Sequence, residues 1–246
     1  MSDELAKKFE ELLENSNGRV LVSGQNAFGV VTFLPYLLRS LSKRHLKVVV
    51  CGENFGRLQQ LLKRIGLGSA DFCSFEMADL FAKLSSWVEP DYPITSTAHK
   101  HAPVPLFAPK LSEQELFSTL GQLLEPSSRD VTVIIPDIEY LLMAVFYSTD
   151  GQAAPRLLDR LLGMRCESLI IGVNSEVLKT SHYSMLYNWL LSHFDARLKI
   201  CSLRSGSSPD VTGLVKTQYT IAATLAKAKG TVKFKAHSDK ITFVEA

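Results

Sequence analysis

Short unbroken apolar runs alternate along this chain with longer stretches whose apolar residues recur every three or four positions. The first kind reads as strands buried on both faces, the second as helices with one covered face. Leu5, Phe9, Leu12 and Leu13 share a helical face within residues 1–18, and Asn15-Ser16-Asn17-Gly18 ends that helix with turn chemistry. A strand at 20–22 leads into a glycine-bearing loop, and Phe33, Leu34, Leu37, Leu38 and Leu41 form the next helix stripe. A strand at 47–51 precedes a helix with Leu58, Leu61, Leu62 and Ile65 inward, closed by Gly66 at the C′ position. The pattern then predicts a strand at 71–75 and a helix at 77–88, with Met77, Leu80, Phe81 and Leu84 inward.

Residues 89–110 interrupt the rhythm with Pro90, Pro93, Pro103, Pro105 and Pro109, and read as a long surface loop. Ser112 and Glu115 then form a capping box, and Leu111 and Leu116 a hydrophobic staple, at the start of a helix. Strands follow at 131–135, 168–173 and 197–203, separated by helical runs to Tyr147, across Leu157, Leu158, Leu161 and Leu162, and over 183–194. From Asp210 the grammar changes: 231–235 and 241–244 flank His237-Ser238-Asp239 as a hairpin. Strands alternating with helices predict a mostly parallel sheet covered on both faces, closed by C-terminal β-hairpins, in a single domain over 1–246.

Composition adds bounds rather than identity. At 46% hydrophobic and 21% charged residues with a formal charge of +2, the chain has the make-up of an ordinary globule. Any nucleic-acid contact must come from a local patch. The N-terminus is charged and amphipathic, unlike a signal or transit peptide, and no apolar run approaches the roughly 18–20 residues that span a bilayer. Cys51, Cys73, Cys166 and Cys201 form no C-x-x-C pair and read as reduced, buried thiols of the cytosol or nucleus.

The loop after the first strand carries the main chemical question. Ser23-Gly24-Gln25-Asn26-Ala27-Phe28-Gly29 has the glycine spacing of a phosphate-binding loop, G-x-x-x-x-G-K-[ST], but Val30 stands at the lysine position and Val31 at the magnesium-binding hydroxyl position. Valines supply neither charge nor metal ligand. Pro35 predicts that the following helix is kinked or starts later. Glu53, just after a strand, fits either a water-activating acid or a first-turn glutamate complementing the helix dipole; with Val30 unable to hold phosphate, the second is preferred. Asp137 follows an apolar strand in the manner of a metal-holding acid, yet Pro136 intervenes, and a cap on the next helix is the preferred reading.

His99 and His101, and His182 and His193, lack the spacing of a zinc site and read as loop and helix-end residues. Lys216, Lys227, Lys229, Lys233, Lys235 and Lys240 cluster near the C-terminus with Tyr219 and Phe234 among them. Two readings stay open. Lys227, Lys229, Lys233 and Lys235 could contact RNA phosphates, or the charges could protect an edge strand from aggregation. The chain holds no G-x-S-x-G elbow, no H-E-x-x-H and no dinucleotide fingerprint.

The order of these features resembles the RecA-like ATPase core. Within it, the chain resembles the family of the sixth subunit of the Elongator complex, whose ATPase motifs are degenerate. The resemblance rests on the glycine loop, on VVVCGEN with its following leucines, on TVIIPDIEYLL at 132–142, on Ser208-Pro209-Asp210-Val211-Thr212-Gly213-Leu214, and on the terminal KFKAHSDKITFV. It runs from about residue 19 to the end, apart from 89–110 and 220–229. It implies a single RecA-like three-layer domain that is not an enzyme and holds no cofactor or metal. It implies a heterohexameric ring with the fourth and fifth Elongator subunits, two copies of each, docked on the catalytic lobe. That ring binds tRNA and supports wobble-uridine modification in the cytoplasm or nucleus, and no membrane is involved. On this reading Gly24, Gly29, Val30 and Val31 are a vestigial phosphate loop, Glu53 and Asp137 are vestigial acids, and the valines suit a permanent subunit interface. Two alternatives remain: a divergent ATPase, with Lys47 or Lys179 serving the phosphates, and a recombination accessory protein that binds DNA.

Overall fold

The computed structural model describes residues 3–25, 30–51, 55–79, 113–148, 153–179, 183–194, 196–203, 210–220, 227–237 and 241–244. Nine strands form one sheet: β1 (Arg19–Gly24), β2 (His45–Val50), β3 (Ser74–Asp79), β4 (Val131–Ile135), β5 (Ser168–Asn174), β6 (Ala196–Ser202), β7 (Gly213–Thr220), β8 (Lys227–Ala236) and β9 (Ile241–Val244). Their order is β3-β2-β4-β5-β1-β6-β7-β8-β9. Every pairing from β3 through β6 is parallel, and β6–β7, β7–β8 and β8–β9 are antiparallel.

The described helices are α1 (Asp3–Glu14), α2 (Val30–Ser40), α3 (Phe55–Arg64), α4 (Glu113–Leu124), α5 (Ile138–Ser148), α6 (Ala153–Leu162), the short α7 (Ser175–Leu178) and α8 (Ser184–His193). They divide between the two faces of the sheet because strand residues alternate in direction. Val20, Val22, Val48, Val50, Ile134 and Ile170 pack with α1, α2 and α3, while Leu21, Val49, Val133, Ile135, Leu169 and Ile171 pack with α4, α5, α6 and α8. Burial on both sides explains why these strands read as unbroken apolar runs. This is a three-layer α/β arrangement, helices on both faces of a mostly parallel sheet, with antiparallel strands added at one side.

The antiparallel extension is covered by a core on one face. Val215, Val232, Phe234, Ile241 and Phe243 belong to the α1/α2 core, and none of the described residues of β7, β8 or β9 belongs to the other. Phe33 of α2 meets Phe234 edge-on at 4.9 Å, and Tyr36 meets Phe243 at 5.5 Å. The Tyr36 hydroxyl accepts the Ile241 N–H at 2.8 Å, so α2 anchors the last strand through both a ring and a hydrogen bond.

Several boundaries differ from the sequence expectation. Helix α2 begins at Val30 and runs through a buried Pro35, so it does not start later. The proline lacks one backbone donor, while its ring adds to the covered face. Strand β3 starts at Ser74 rather than 71, because Ser69–Asp71 forms a single 3-10 turn in which Asp71 Oδ2 accepts the Gly68 N–H at 2.6 Å. Met77 is not in a helix: it continues β3, paired with Val48 of β2. The segment from Leu80 through the Pro-rich residues 89–110, and the capping serine Ser112, lie outside the described residues. Gly66 does close α3: its φ is +72°, its N–H reaches the Lys63 carbonyl at 3.1 Å, and the Leu67 N–H reaches that of Leu62 at 3.0 Å. These are the two bonds of a Schellman cap. Strand β7 and helix α7 went unassigned from sequence.

Candidate functional site

In parallel α/β sheets ligands gather where the strands end at their carboxyl side. Here that edge carries Gly24 of β1, Asn174 of β5 and the turn Pro136-Asp137 after β4. Gly24 is paired with Asn174, and the Ser175 hydroxyl donates to the Gly24 carbonyl at 2.9 Å from a fully buried position. The Asn174 side chain caps α7 by accepting the Glu176 N–H at 3.1 Å. The strand that should deliver a phosphate loop is thus tied down at its last residue. Gly29 and Glu53 lie outside the described residues.

Val30 and Val31 are 4% and 5% exposed, and Val30 belongs to the α1/α2 core. The expectation that these valines supply an apolar subunit surface is therefore corrected: helix α2 turns them into the chain's own interior. Gly172 of β5 shows how tightly this end is filled. A Cβ there would lie 2.2 Å from the Pro136 carbonyl oxygen and 2.7 Å from a Val30 methyl carbon. Strand β5 sits between β4 and β1, so its glycine is where the turn after β4 meets the start of α2. In a working site, a lysine at the first valine and a metal-holding acid past β4 would share this region with phosphate. Here a methyl group and a proline carbonyl press on the bare Cα.

Asp137 is 2% exposed, and its Oδ1 accepts the Cys51 N–H at 2.9 Å, while its carbonyl accepts the Tyr140 N–H at 3.3 Å. It stands directly before α5, as a cap would, but its carboxylate also fastens the end of β2 to the end of β4. Burial, followed by the charges of Asp137, Glu139 and Asp79, pushes the Cys51 thiol well above its ordinary value. That thiol is a protonated, inert packing group at neutral pH. The four cysteines differ more than the sequence implied: Cys51 and Cys201 are buried, Cys166 is half-buried, and Cys73 is exposed just before β3.

Neither substitute lysine proposed for an ATPase is a clear replacement. Lys47 is 5% exposed, and its Nζ donates to the Glu125 carbonyl at 2.8 Å and pairs with Glu76 at 3.1 Å. Glu125 lies on the approach to β4, at the opposite end of the strands from Gly24. Lys179 is on the correct edge, at the end of α7, and pairs with Glu176 at 3.6 Å. His193 is a helix-end residue, stacked on Trp189 at 3.9 Å and bonded to the Trp189 carbonyl at 2.9 Å. His99, His101 and His182 lie outside the described residues. No cluster of metal ligands occurs among the described residues.

The C-terminal lysines are arranged more favourably than their sequence positions suggest. Lys227, Lys229, Lys233 and Lys235 occupy alternate positions of β8. Val232 and Phe234 point into the core, so Lys233 and Lys235 project from the opposite face. Lys233 and Lys235 lie where β8 is paired on both sides, so edge protection does not explain them, while β9 pairs only with Lys233–Ala236 and leaves that reading open for Lys227 and Lys229. Lys216 pairs with Thr231 and also with Lys199 on β6, which brings Lys199 onto the same face. Lys199 escaped the sequence reading because only strand register connects it to the tail.

The sheet and its surroundings define a class: a three-layer α/β domain in which Val30 and the Pro136 carbonyl crowd Gly172 near the carboxyl end of β5, and whose antiparallel extension bears a lysine-rich face. The sequence matches no protein-family model and no curated protein sequence. Among solved structures, the chain is similar to the crystal structure of the KaiC-like protein PH0186 from the hyperthermophilic archaeon Pyrococcus horikoshii OT3. The TM-score is 0.49 at 9% identity, over 96% of this chain and 95% of that one. No helix among the described residues is long and apolar enough to cross a membrane.

Two measurements probe the packing. Gly172→Ala drives a methyl group into the Pro136 backbone, which cannot rotate away as a side chain would. It lowers unfolding stability by about 3 kcal/mol or more in denaturant titration. For Cys51, the raised folded value means that its stabilising contribution is complete below the unfolded thiol value of about 8.5 and is lost as pH climbs toward the folded value. Between those two values the unfolded state holds fewer protons than the folded state. Stability measured across pH 7 to 10, an interval about the thiol value, declines in the native chain and declines less steeply in Cys51→Ala. A thiol reagent labels Cys73 in the folded protein and Cys51 only on unfolding.

Proposed function

We propose that this chain is a non-catalytic, RecA-like subunit of the Elongator complex. It assembles with the fourth and fifth subunits into a heterohexameric ring that docks on the catalytic lobe, binds tRNA and supports wobble-uridine modification. The observation that carries this reading is the burial of Val30 and Val31, at 4% and 5% exposure, in the positions where an ATPase keeps its lysine and hydroxyl. A domain that keeps the sheet and loop but fills the phosphate end with hydrocarbon supplies architecture rather than turnover. Such a subunit needs no nucleotide, cofactor or metal of its own, and it works in the cytoplasm or nucleus with the rest of the assembly.

The lysine face supports the RNA part of the reading. Lys216, Lys233 and Lys235 project from one side of an antiparallel surface, and Lys227 and Lys229 continue the series along β8. Lysines so spread bind phosphates without reading bases, which suits a partner recognised by backbone and shape. The same charges fit single-stranded DNA, and so a recombination accessory role is the competing reading. The divergent-ATPase reading has lost Lys47 to its bonds with Glu125 and Glu76.

Affinity purification of the tagged full-length chain from its own cells, with mass spectrometry of the co-purifying proteins, tests the assignment. The fourth and fifth Elongator subunits are expected at near-equal amounts with the bait, and tRNA is expected to outcompete single-stranded DNA for the purified assembly. Recombination factors in their place, with a preference for DNA, would overturn it.

A further inference from the structure

Strand register places Lys199 of β6 directly opposite Lys216 of β7. Opposed residues of an antiparallel pair project from the same face with Cβ atoms about 4.5–5.5 Å apart, where like charges repel. Both lysines are half-buried. Among the described residues neither makes an ion pair. Folding alone gives no reason to set two ammonium groups together here, since an acid or a hydrocarbon at either position would relieve the repulsion.

The two lysines line a cavity of about 520 Å³ together with Gln25, Ser202, Cys201 and Leu214. It lies at the same carboxyl end of the strands as Gly24: Lys199 is paired with Ser23 of β1, and Gln25 directly follows Gly24. The cavity therefore lies beside Gln25, directly after β1, and against the adjoining strands β6 and β7. Its described lining offers two ammonium groups, an amide and a hydroxyl as donors, and contains no carboxylate and no aromatic ring. Such a lining neutralises an oxyanion through lysine donors, has no acid to hold a metal ion, and gives a nucleobase nothing to stack on. The volume exceeds that of a single phosphate and falls in the range of small-molecule sites.

We propose that Lys199 and Lys216 form a binding site for a diphosphate or longer phosphoanhydride group, recognised through its phosphates and independent of magnesium. The site borders the Gly24–Val31 segment through Gln25 but is not lined by Val30 or Val31, and it stands whether or not the chain belongs to Elongator. Free diphosphate and the phosphate tail of a nucleotide share this chemistry.

The test is calorimetric titration of the purified full chain with sodium pyrophosphate at low ionic strength in the presence of a chelator, followed by competition with ATP and with adenosine. Saturable binding at one site per chain is expected. Lys199→Glu lowers the affinity about tenfold or more. Because it also sets an acid opposite Lys216, Lys199→Glu raises the melting temperature rather than lowering it, which separates lost binding from lost folding. Lys7→Glu, the same charge change on α1, leaves the affinity within about twofold of the native value. Displacement of pyrophosphate by ATP extends the site to nucleotide tails, failure of ATP to displace it confines the site to free diphosphate, and either result supports the assignment. Absence of saturable binding would overturn it. So would an equal loss in Lys7→Glu, which would make net charge the cause, or displacement by adenosine, which would make the base the recognised group.

Discussion

Three segments meet at the Cα of Gly172, and much of the carboxyl end of the sheet depends on that meeting. Strand β5 runs between β4 and β1, so the turn leaving β4 and the helix following β1 must pass over it from either side. They pass so closely that a single methyl on β5 would overlap the Pro136 carbonyl. Glycine at this position lets the Pro136-Asp137 turn settle inward. Asp137 can then reach back to the Cys51 N–H and fasten β2 to β4. It also lets α2 begin at Val30 with both valines in the interior. From there α2 carries Phe33 and Tyr36 to the last strands, where they clasp Phe234, Phe243 and the Ile241 N–H. The packing that closes the phosphate end and the packing that holds the antiparallel extension belong to one helix.

The carboxyl ends of β1 and β4 have become structural, with polar groups turned to backbone: Ser175 to the Gly24 carbonyl, Asp137 to the Cys51 N–H. Lysines gather on β6, β7 and β8, where α1 and α2 cover one face and Lys199, Lys216 and Lys233 lie on the other. A helix on that second face would have to bury Lys199, Lys216 and Lys233 without partners, at a large desolvation cost. The open face and its lysines are thus physically consistent with each other.

Much of this fold was legible in the sequence because its central strands are buried on both faces. The run at 131–135 matched its strand to the residue, and Leu5, Phe9, Leu12 and Leu13 gave the covered face of α1 directly. Gly66 announced the end of α3 through its need for positive φ. Legibility failed where burial is partial. Strand β3 is an outer strand with mixed exposure, so Met77 looked helical until its pairing with Val48 fixed it. Strand β7 alternates Val215 and Thr217 inward with Lys216 and Gln218 outward, too weak a signal among polar neighbours. The candidate site was half legible. Val30 and Val31 showed in sequence that lysine and hydroxyl were gone, but not which way the valines point. The packing of Val30 depends on Gly172 of β5, more than a hundred residues away in sequence. The Lys199–Lys216 pair depends on register alone, which no local pattern encodes.

We propose that the Gly24–Val31 segment, whose Val30 packs against Gly172, takes no nucleotide. Methyl-resolved NMR of the isolated chain during titration with magnesium-ATP addresses it most directly, because Val30 and Val31 stand at the sequence positions of the phosphate-binding lysine and the metal-binding hydroxyl. The account predicts that these methyl signals stay in place up to millimolar ligand, a concentration at or above the weak end of ordinary substrate binding, about 1 mM. Saturable, magnesium-dependent shifts of those same signals at micromolar ATP would contradict it.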